Sequence, residues 1–352
     1  MESFGARKAK HSMKILMSSY LFHPSIGGLE NVTLLLAAHW QSMGHEVTVI
    51  THTKHTGDLP FRFRVERRPS PMRLISLLFR ADVFVHNNIS LGYAWPALLS
   101  SKPFVISHQV WIDHEDGKKS LGGKLKRWFL RRGINIAISQ AVAASLSEPS
   151  QIIYNPYDDG VFKCEVEQTR REHDFLFVGR LVNCKGVDIF IRALAELAAV
   201  KPAFGATIVG DGPARVMLEL LARELGLADR ITFRGFVTGQ ALADVYHQHK
   251  ILVVPSQWEE PFGITALEGI ACGCTVVAAR SGGLPEAIGN CGILFPKGDW
   301  RALASVLEDL FDNERPVSEL EWSERQQHLQ KYSPSHIASE YLKVFHAAAS
   351  TA

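Results

Sequence analysis

The residue pattern with the clearest chemical meaning is a pair of glutamates, Glu260 and Glu268, on either side of a predicted helix start. The loop between them reads Pro261-Phe262-Gly263-Ile264-Thr265, and the backbone N–H groups of Gly263 to Thr265 would be free to bind an anion or a sugar oxygen. Carboxylates accept hydrogen bonds from paired hydroxyls, such as those of a sugar or a ribose. A favourable helix dipole would explain one acidic residue here, but not the Glu-Pro-Phe-Gly sequence.

A second loop carries two cations five residues apart, Arg180 and Lys185, at a predicted strand-to-helix junction flanked by glycines. Arginine can bind phosphate oxygens through two parallel N–H groups, and lysine adds a point charge. Together they would clamp a diphosphate. Two solvated surface cations are the alternative, but the position at the carboxyl end of a strand favours binding.

An earlier loop ends in two adjacent glycines, Gly27 and Gly28, directly before a predicted helix. Glycine lets the backbone approach a ligand closely, and the N-terminus of a helix attracts anions. The loop matches neither the Gly-x-Gly-x-x-Gly pattern of dinucleotide enzymes nor a Walker loop, which excludes a nicotinamide dehydrogenase. A tight helix entry without any ligand is the commoner reason for such a pair.

Short apolar runs that alternate with longer periodic segments must position these loops. Continuous apolar strands separated by helices predict parallel sheets covered on both faces, and therefore an α/β chain with two doubly wound, Rossmann-like domains facing a cleft. In such sheets, ligands bind outside the carboxyl ends of the strands. The predicted strands are Lys14–Met17, Glu46–Thr51, Asp82–His86, Phe104–Ser107, Ile134–Ser139, Phe175–Val178, Ala206–Val209, Ile231–Phe233, Ile251–Val254, Thr275–Ala278 and Gly292–Phe295.

The domain division follows from a polar stretch between Asn155 and His173, which reads as a linker. With 352 residues, of which 46% are hydrophobic, the chain can bury two cores of ordinary size. We predict a disordered leader over residues 1–12, a first domain over 13–160, a second over 161–334 and a closing helical segment over 335–352.

Cysteine usage and charge indicate the compartment and the partners. Five irregularly spaced cysteines give no disulfide framework, and the polar start lacks the apolar stretch of a signal peptide, so we expect a cytoplasmic protein. No apolar run approaches the ~20 residues of a membrane-spanning helix. Residues 1–165 hold 20 Lys and Arg against 13 Asp and Glu, a net charge of +7, whereas the remainder, with 18 against 23, carries −5. The basic half could face an anionic substrate or a membrane surface.

The segment Lys118–Arg132 concentrates that charge, with seven basic residues, no acid and interleaved apolar residues. As a helix it would be basic and amphipathic, which favours peripheral contact with an anionic membrane, at its inner face. The alternative is an ordinary surface helix whose apolar stripe packs on the sheet, and we give this alternative slightly more weight because every covering helix needs such a stripe. No nucleic-acid module surrounds the segment, so we expect no nucleic-acid partner.

Several motifs together resemble the retaining glycosyltransferases of family four, which have the GT-B fold. The resemblance spans nearly the whole chain, in order, and is carried by Gly27-Gly-Leu-Glu30, Val178-Gly-Arg180 with Lys185-Gly186, Val209-Gly-Asp-Gly-Pro213, Phe233-Arg-Gly-Phe-Val237, Glu260-Pro-Phe-Gly-Ile-Thr-Ala-Leu-Glu268 and Ser281-Gly-Gly-Leu-Pro-Glu286.

The resemblance implies a role for each matching residue in binding a nucleoside diphosphate sugar. Glu260 would hold hydroxyls of the donor sugar, and Glu268 the ribose. Arg180 and Lys185 would neutralise the departing diphosphate, helped by the N–H groups of Gly28 and Thr265. The remaining matches are the backbone of Gly235 and Val237 beside the base, and His108 near the reacting carbon. By the same resemblance, the final helix would cross back to the first domain.

The implied reaction is retaining and needs no metal. No two aspartates stand two residues apart, so the Asp-x-Asp metal grip of the other large transferase class is absent, and cations with helix N-termini would stabilise the leaving diphosphate. Glu260 and Glu268 are then not a hydrolase acid/base pair. The acceptor stays open between a lipid-linked glycan, another glycan and a small molecule. The alternatives are a non-catalytic nucleotide-sugar-binding protein, or another GT-B enzyme such as an epimerase.

Overall fold

The chain forms two compact units. The computed structural model describes residues 12–25, 27–54, 61–112, 121–164, 171–201, 203–313 and 318–351. The first unit extends to Ala137 and also contains Leu146–Gln151 and the stretch from Ala338 onward, whereas the second contains Ile138–Ser145 and Ile152–Ile337. The chain therefore enters the second unit before the boundary that we placed at residue 160, because the short segment Ile138–Ser145 already packs there. Nearly all of the leader (1–11) lies outside the described residues.

The first unit is built on a seven-stranded sheet in the order β3-β2-β1-β4-β5-β6-β7. Every pairing from β3 to β6 is parallel. The central strands carry continuous runs of buried residues, as expected of a sheet covered on both faces. The strands are β1 (Lys14–Ser19), β2 (Glu46–Thr51), β3 (Arg64–Arg67), β4 (Val83–Asn87), β5 (Phe104–His108), β6 (Ile134–Ala137) and β7 (Ser150–Ile152).

The helices of this half of the chain are α1 (Gly28–Ser42), α2 (Pro71–Arg80), α3 (Leu91–Ala94), α4 (Leu121–Leu130) and α5 (Gln140–Ser145). The stretch 91–99 is not one continuous α-helix, because α3 is followed by a 3-10 turn over Trp95–Leu99. Pro96 explains the change, since proline has no N–H to continue the α-helical ladder. Helix α1 begins at Gly28, with Gly27 as its N-cap, so the Gly-Gly pair forms the start of the helix.

The second unit is built on a six-stranded sheet in the order β10-β9-β8-β11-β12-β13, and every neighbouring pair is parallel. Its strands are β8 (His173–Val178), β9 (Ala206–Val209), β10 (Ile231–Gly235), β11 (His249–Val254), β12 (Thr275–Ala279) and β13 (Gly292–Phe295). The helices are α6 (Val187–Val200), α7 (Arg215–Glu224), α8 (Gly239–Gln248), α9 (Ile264–Ala271), α10 (Leu284–Ile288), α11 (Trp300–Asp312) and α12 (Glu319–Gln330). A 3-10 turn covers Asn183–Lys185.

One apolar core holds α6 and α11 against this sheet and includes the fully buried side chains of Phe175, Phe190, Ile208 and Leu303. A fully buried side chain of this size stabilises the fold by roughly 1.5–3 kcal/mol. The core therefore fixes the sheet from which the functional loops emerge.

The last helix, α13 (Pro334–Thr351), begins in the second unit and from Ala338 onward belongs to the first. There the indole Nε1 of Trp40 donates to the carbonyl of Ala338 at 3.1 Å, and the hydroxyls of Ser107 and Tyr341 are 2.7 Å apart. Phe345 packs on the same indole. Two doubly wound parallel sheets and a returning C-terminal helix confirm the predicted fold class. Among the described residues, no helix combines the length and apolar character needed to cross a bilayer.

Candidate active site

The chemistry-bearing loops of the second unit follow the carboxyl ends of β8, β10 and β11, and the strands β8 and β11 are direct neighbours. The loop after β8 packs tightly on the loop after β11, where Gln257 N–H donates to the carbonyl of Cys184 at 2.9 Å. A Cβ on Gly186, which has φ +70°, would lie 2.0 Å from the carbonyl oxygen of Pro255. Only glycine fits this contact, so the backbone itself holds the two predicted binding loops together.

Lys185 and Glu260, predicted from two separate motifs, form an ion pair. The Lys185 Nζ lies 2.6 Å from Glu260 Oε1, and the Ser256 hydroxyl donates to the same oxygen at 2.7 Å. The Glu260 side chain is only 12% exposed, so this pair is far less screened than a surface salt bridge. Within the described part of the chain, Glu260 Oε2 accepts no hydrogen bond. One oxygen is thus held by Lys185 and Ser256, and the other is left for a ligand hydroxyl.

Ser256 is a site residue that the sequence did not single out. The only signal was its place beside Pro255 at the end of β11, and its role depends on the side chain turning back to Glu260, four residues later. By holding Oε1, this hydroxyl fixes the direction in which Oε2 points. Ser256 therefore positions the carboxylate.

The neighbouring Glu259 holds the loop in place instead of facing a ligand. Its carboxylate pairs with Lys297 and accepts the backbone N–H of Gly282 at 2.7 Å. Gly282 has φ +52°, and a Cβ there would lie 2.0 Å from the carbonyl oxygen of Glu260. The hydrogen bond from Lys297 lowers the pKa of Glu259, so this carboxylate stays charged and anchors the loop. The two adjacent glutamates thus divide anchoring and binding between them.

The start of α9 has the predicted free donors. Gly263 caps the helix with φ +159° and no side-chain cap, and among the described residues the N–H groups of Gly263, Ile264 and Thr265 have no acceptor. A Cβ on Gly263 would lie 2.8 Å from Leu284 Cδ2, which explains the glycine. Phe262, immediately before the cap, is buried and stacked on Tyr154 with 5.7 Å between ring centres. Phe262 therefore holds the loop by packing.

Glu268 lies in the second turn of α9, where the hydroxyl of Tyr246 donates to its Oε2 at 3.0 Å. Burial raises the pKa of the Glu268 carboxyl to about 8, and the Tyr246 hydrogen bond only partly opposes this effect. Tyr246 comes from α8, and nothing in the sequence indicated the contact. Glu268 and Glu260 share no partner, which agrees with two separate binding roles and not with an acid/base couple.

The remaining predicted residues of the second unit lie in the loops after β8 and β10. Arg180 is exposed, and within the described residues its guanidinium has no hydrogen bond or ion pair. Gly235 ends β10 with φ +77°, and its carbonyl accepts the N–H of Gly210 at 2.8 Å. Val237 lies two residues later, before α8. These positions leave the arginine head and the backbone beside Val237 open to a ligand.

His108, in the first unit, is the last residue of β5 and is fully buried. Its Nε2–H donates to Asn135 Oδ1 at 3.0 Å, because the amide nitrogen of Asn135 is already committed to the carbonyls of Leu130 and Gly133. Burial lowers the pKa of His108, so the ring is neutral near pH 7. Among the described residues the buried Nδ1 has no partner, and its lone pair can accept a hydrogen bond from a hydroxyl group.

Gly27 and Gly28 also lie in the first unit, at the start of α1. Gly27 is extended, and a Cβ there would lie 2.6 Å from Glu30 Oε2, whose partner oxygen accepts the Ser25 hydroxyl at 3.0 Å. The buried Glu30 carboxylate therefore already places a negative charge in the first turn of α1. Gly27 makes room for it.

The structure thus brings Lys185 and Glu260 into contact and places Arg180, Gly235, Val237, the α9 start and Glu268 in the same unit. His108 and the Gly27-Gly28 pair belong to the other unit. Among the described residues, no three His, Cys, Asp or Glu side chains meet as a metal site.

Two family models match the chain in succession. Residues 26–160 match the model described as Glycosyltransferase Family 4, and residues 165–335 match Glycosyl transferases group 1. Among curated proteins, a D-inositol 3-phosphate glycosyltransferase of Rhodococcus opacus (strain B4) is 34% identical over 205 residues, which is 55% of this chain and 45% of that protein. The matched region therefore spans less than half of that relative.

Solved structures share the fold over nearly the whole chain. HepE of Anabaena, in complex with UDP and glucose, superimposes with a TM-score of 0.79 and 20% identity, covering 95% of this chain and 100% of HepE. Sucrose-phosphate synthase from Thermosynechococcus elongatus superimposes with a TM-score of 0.78 and 20% identity, covering 97% of this chain and 100% of that protein. With both family models in sequence order and the loops built as their motifs predict, this chain belongs to the family 4 glycosyltransferases of GT-B fold.

Proposed function

We propose that the chain transfers a sugar from a nucleoside diphosphate sugar to an acceptor, with retention of anomeric configuration and without a metal ion. The observation that carries this proposal is the arrangement around Glu260: a lysine and a serine hydroxyl on one carboxylate oxygen, a free second oxygen, and unpaired N–H groups at the start of α9. Such a set can bind sugar hydroxyls and an anion at once.

In this reaction the bond between the sugar C1 and the diphosphate oxygen breaks, and the acceptor oxygen forms the new bond on the same face. Lys185, Arg180 and the helix N–H groups would stabilise the charge on the leaving diphosphate. The leaving phosphate would take the acceptor proton, so no carboxylate acts as nucleophile. Glu260 Oε2 would hold the donor sugar and Glu268 the ribose, with the base beside Gly235 and Val237.

We place the acceptor on the first unit, near His108. The neutral ring of His108 could accept a hydrogen bond from a hydroxyl of the donor sugar at Nδ1, but it could not supply positive charge. The acceptor would be a lipid-linked glycan, another glycan or a small molecule, and the names of the relatives include inositol 3-phosphate and sucrose-phosphate. The first donors to test are UDP sugars, since HepE was solved with UDP. We also propose a cytoplasmic location, in keeping with the irregular cysteine spacing of the sequence.

A non-catalytic nucleotide-sugar-binding protein is the second candidate. It would keep Glu268 for the ribose but could dispense with His108, Arg180 and Lys185. The two candidates differ in whether donor is consumed.

Donor hydrolysis tests the proposal without knowledge of the acceptor. Incubated with a UDP sugar, the chain should release UDP slowly, and the rate should be unchanged, within about twofold, by excess chelator, because the charge is met by cations and helix N–H groups. Proton NMR, read before mutarotation, should show the sugar released with the anomeric configuration of the donor. Loss of activity that added divalent metal restores would contradict the metal-free mechanism, and the inverted anomer would contradict retention.

A further inference from the structure

The outward face of α4 does not match a helix whose apolar stripe simply packs on the sheet. Phe129 and Leu130 are buried in the core of the first unit, as that interpretation requires. Leu125 and Trp128, however, are 45% and 39% exposed. The large apolar side chains of α4 are therefore divided between the core and the outer face of the helix.

Basic residues surround these two exposed side chains. Lys124, Arg131 and Arg132 are exposed as well, and the Arg132 guanidinium lies 4.7 Å over the Trp128 ring. By their spacing, Lys124, Leu125 and Trp128 lie on one face of α4, and Arg131 and Arg132 follow in the turn directly after the helix. This outer side thus combines an aromatic, an aliphatic and three cationic side chains.

The elements next to α4 also carry exposed apolar side chains on their outer sides. Helix α2 contacts the 3-10 turn at 95–99, this turn contacts α3, and α3 contacts α4. All three helices bury their inner faces in one core on one side of the sheet. Further large apolar side chains stand exposed on the outer side of this row: Met72, Phe79, Leu98 and Leu99. We call the outer sides of α2, the 3-10 turn and α4 the α2–α4 surface.

The charge of the α2–α4 surface is of one sign. Residues 71–80, 91–103 and 121–132 contain eight Lys and Arg and no Asp or Glu. Two of the cations are paired with acids from other segments, Arg73 with Glu66 and Arg131 with Glu148, so the surface remains positive. Exposed apolar residues grouped in segments with this excess of basic residues are uncommon on a face that meets only water.

We propose that the α2–α4 surface binds the headgroup region of an anionic lipid bilayer. The apolar side chains would enter the headgroup and acyl boundary, with Trp128 at the depth that tryptophan prefers, while the cations bind lipid phosphates. A second copy of the chain is a poor occupant, because pairing like with like would oppose two positive surfaces. The membrane contact is separate from sugar transfer, but it would bring a lipid-linked acceptor to the first unit.

The test is co-sedimentation of the intact chain with vesicles, without nucleotide sugar. The chain should bind vesicles of equal parts phosphatidylglycerol and phosphatidylcholine, bind phosphatidylcholine alone at least about tenfold more weakly, and dissociate in high salt. Leu125→Gln with Trp128→Gln should weaken binding to the anionic vesicles by about tenfold or more. Lys124→Gln with Arg132→Gln should weaken it by about fivefold per charge.

Met217→Gln is the matched control, since this exposed apolar residue lies on α7 of the second unit. It should leave vesicle binding unchanged, and all variants should keep wild-type unfolding temperatures and donor hydrolysis without vesicles. Equal binding to neutral and anionic vesicles, or unchanged binding of both double variants, would overturn the proposal. So would a concentration-dependent dimer that the Leu125/Trp128 variant abolishes, because the surface would then belong to a second copy. Failure of donor hydrolysis alone would affect only the transferase proposal.

Discussion

Lys185→Met is expected to lower kcat/KM for donor consumption by about 10²- to 10³-fold while the protein stays folded. The variant keeps most of the aliphatic stem but removes the charge that would stabilise the leaving diphosphate, and a single preorganised donor of this kind contributes a factor of that size. The ion pair already fixes the lysine 2.6 Å from Glu260 Oε1, so its placement would cost little reorganisation during the reaction. Initial rates of UDP release over a range of donor concentrations measure the effect.

Lys297→Met is the matched control for this variant. Lys297 forms the neighbouring ion pair, with Glu259, in the same loop region, but we give it no part in binding the donor. This variant should keep kcat/KM within about threefold, since a partly exposed ion pair contributes at most about 1 kcal/mol. Arg180→Met should behave like Lys185→Met. If Lys185→Met turned over normally, or if Lys297→Met lost as much activity, the diphosphate role of Lys185 would be wrong.

Glu268→Gln is expected to make nucleotide binding weaker and much less dependent on pH between pH 7 and pH 9. In the wild type, burial raises the pKa of Glu268 to about 8, so this carboxyl group is mostly protonated at pH 7. Two ribose hydroxyls need the carboxylate as acceptor, and binding must then release a proton. The UDP affinity of the wild type should therefore rise by up to about tenfold per pH unit between pH 6 and pH 8 and level off above. Calorimetry in buffers of different ionisation enthalpy measures both the affinity and the number of protons released on binding.

The same substitution should affect stability in the opposite direction. Because the folded-state pKa of Glu268 lies above that of the unfolded chain, its contribution to stability is fully present below the unfolded pKa and is lost as pH rises through about 8. Glu268→Gln stays neutral, so it should unfold at a higher temperature than the wild type at pH 9 and at a similar one at pH 5. Tyr246→Phe removes the hydroxyl that opposes the raised pKa, so the pH at which affinity levels off should move upward. Wild-type binding that does not vary from pH 6 to pH 9 would contradict this role for Glu268.

The parallel sheets could be predicted because their central strands are buried on both faces and carry uninterrupted apolar runs. The strands at Glu46–Thr51, Ala206–Val209 and Gly292–Phe295 have the predicted bounds. The strands Arg64–Arg67 and Ser150–Ile152 were missed, since both lie at sheet edges, are only partly buried and are too short or too polar to leave a pattern. The hydrophobic pattern thus predicts the strands that form the core and misses the partly exposed strands at the sheet edges.

Sequence motifs marked the candidate binding residues but not their partners. Glu260, Arg180 and Lys185 lie in loops and Glu268 lies in α9, and each belongs to a recognisable motif. The contact of Lys185 with Glu260 joins residues 75 positions apart, and the contact of Tyr246 with Glu268 joins α8 to α9. Both depend on how strands and helices are placed in three dimensions, which no local pattern encodes. The pKa of Glu268 follows from the same placement.

Thermal unfolding of the intact chain measures whether the second unit binds a nucleoside diphosphate through these loops. A ligand that binds only the folded state raises its stability, so at a concentration near 100 times Kd one of UDP, GDP and ADP should raise the unfolding temperature by about 5 °C or more. The corresponding monophosphate should raise it less, and Lys185→Met should lose most of the difference between the two. If none of the three diphosphates shifted the unfolding temperature, or if Lys185→Met responded like the wild type, the assignment of the donor site would be contradicted.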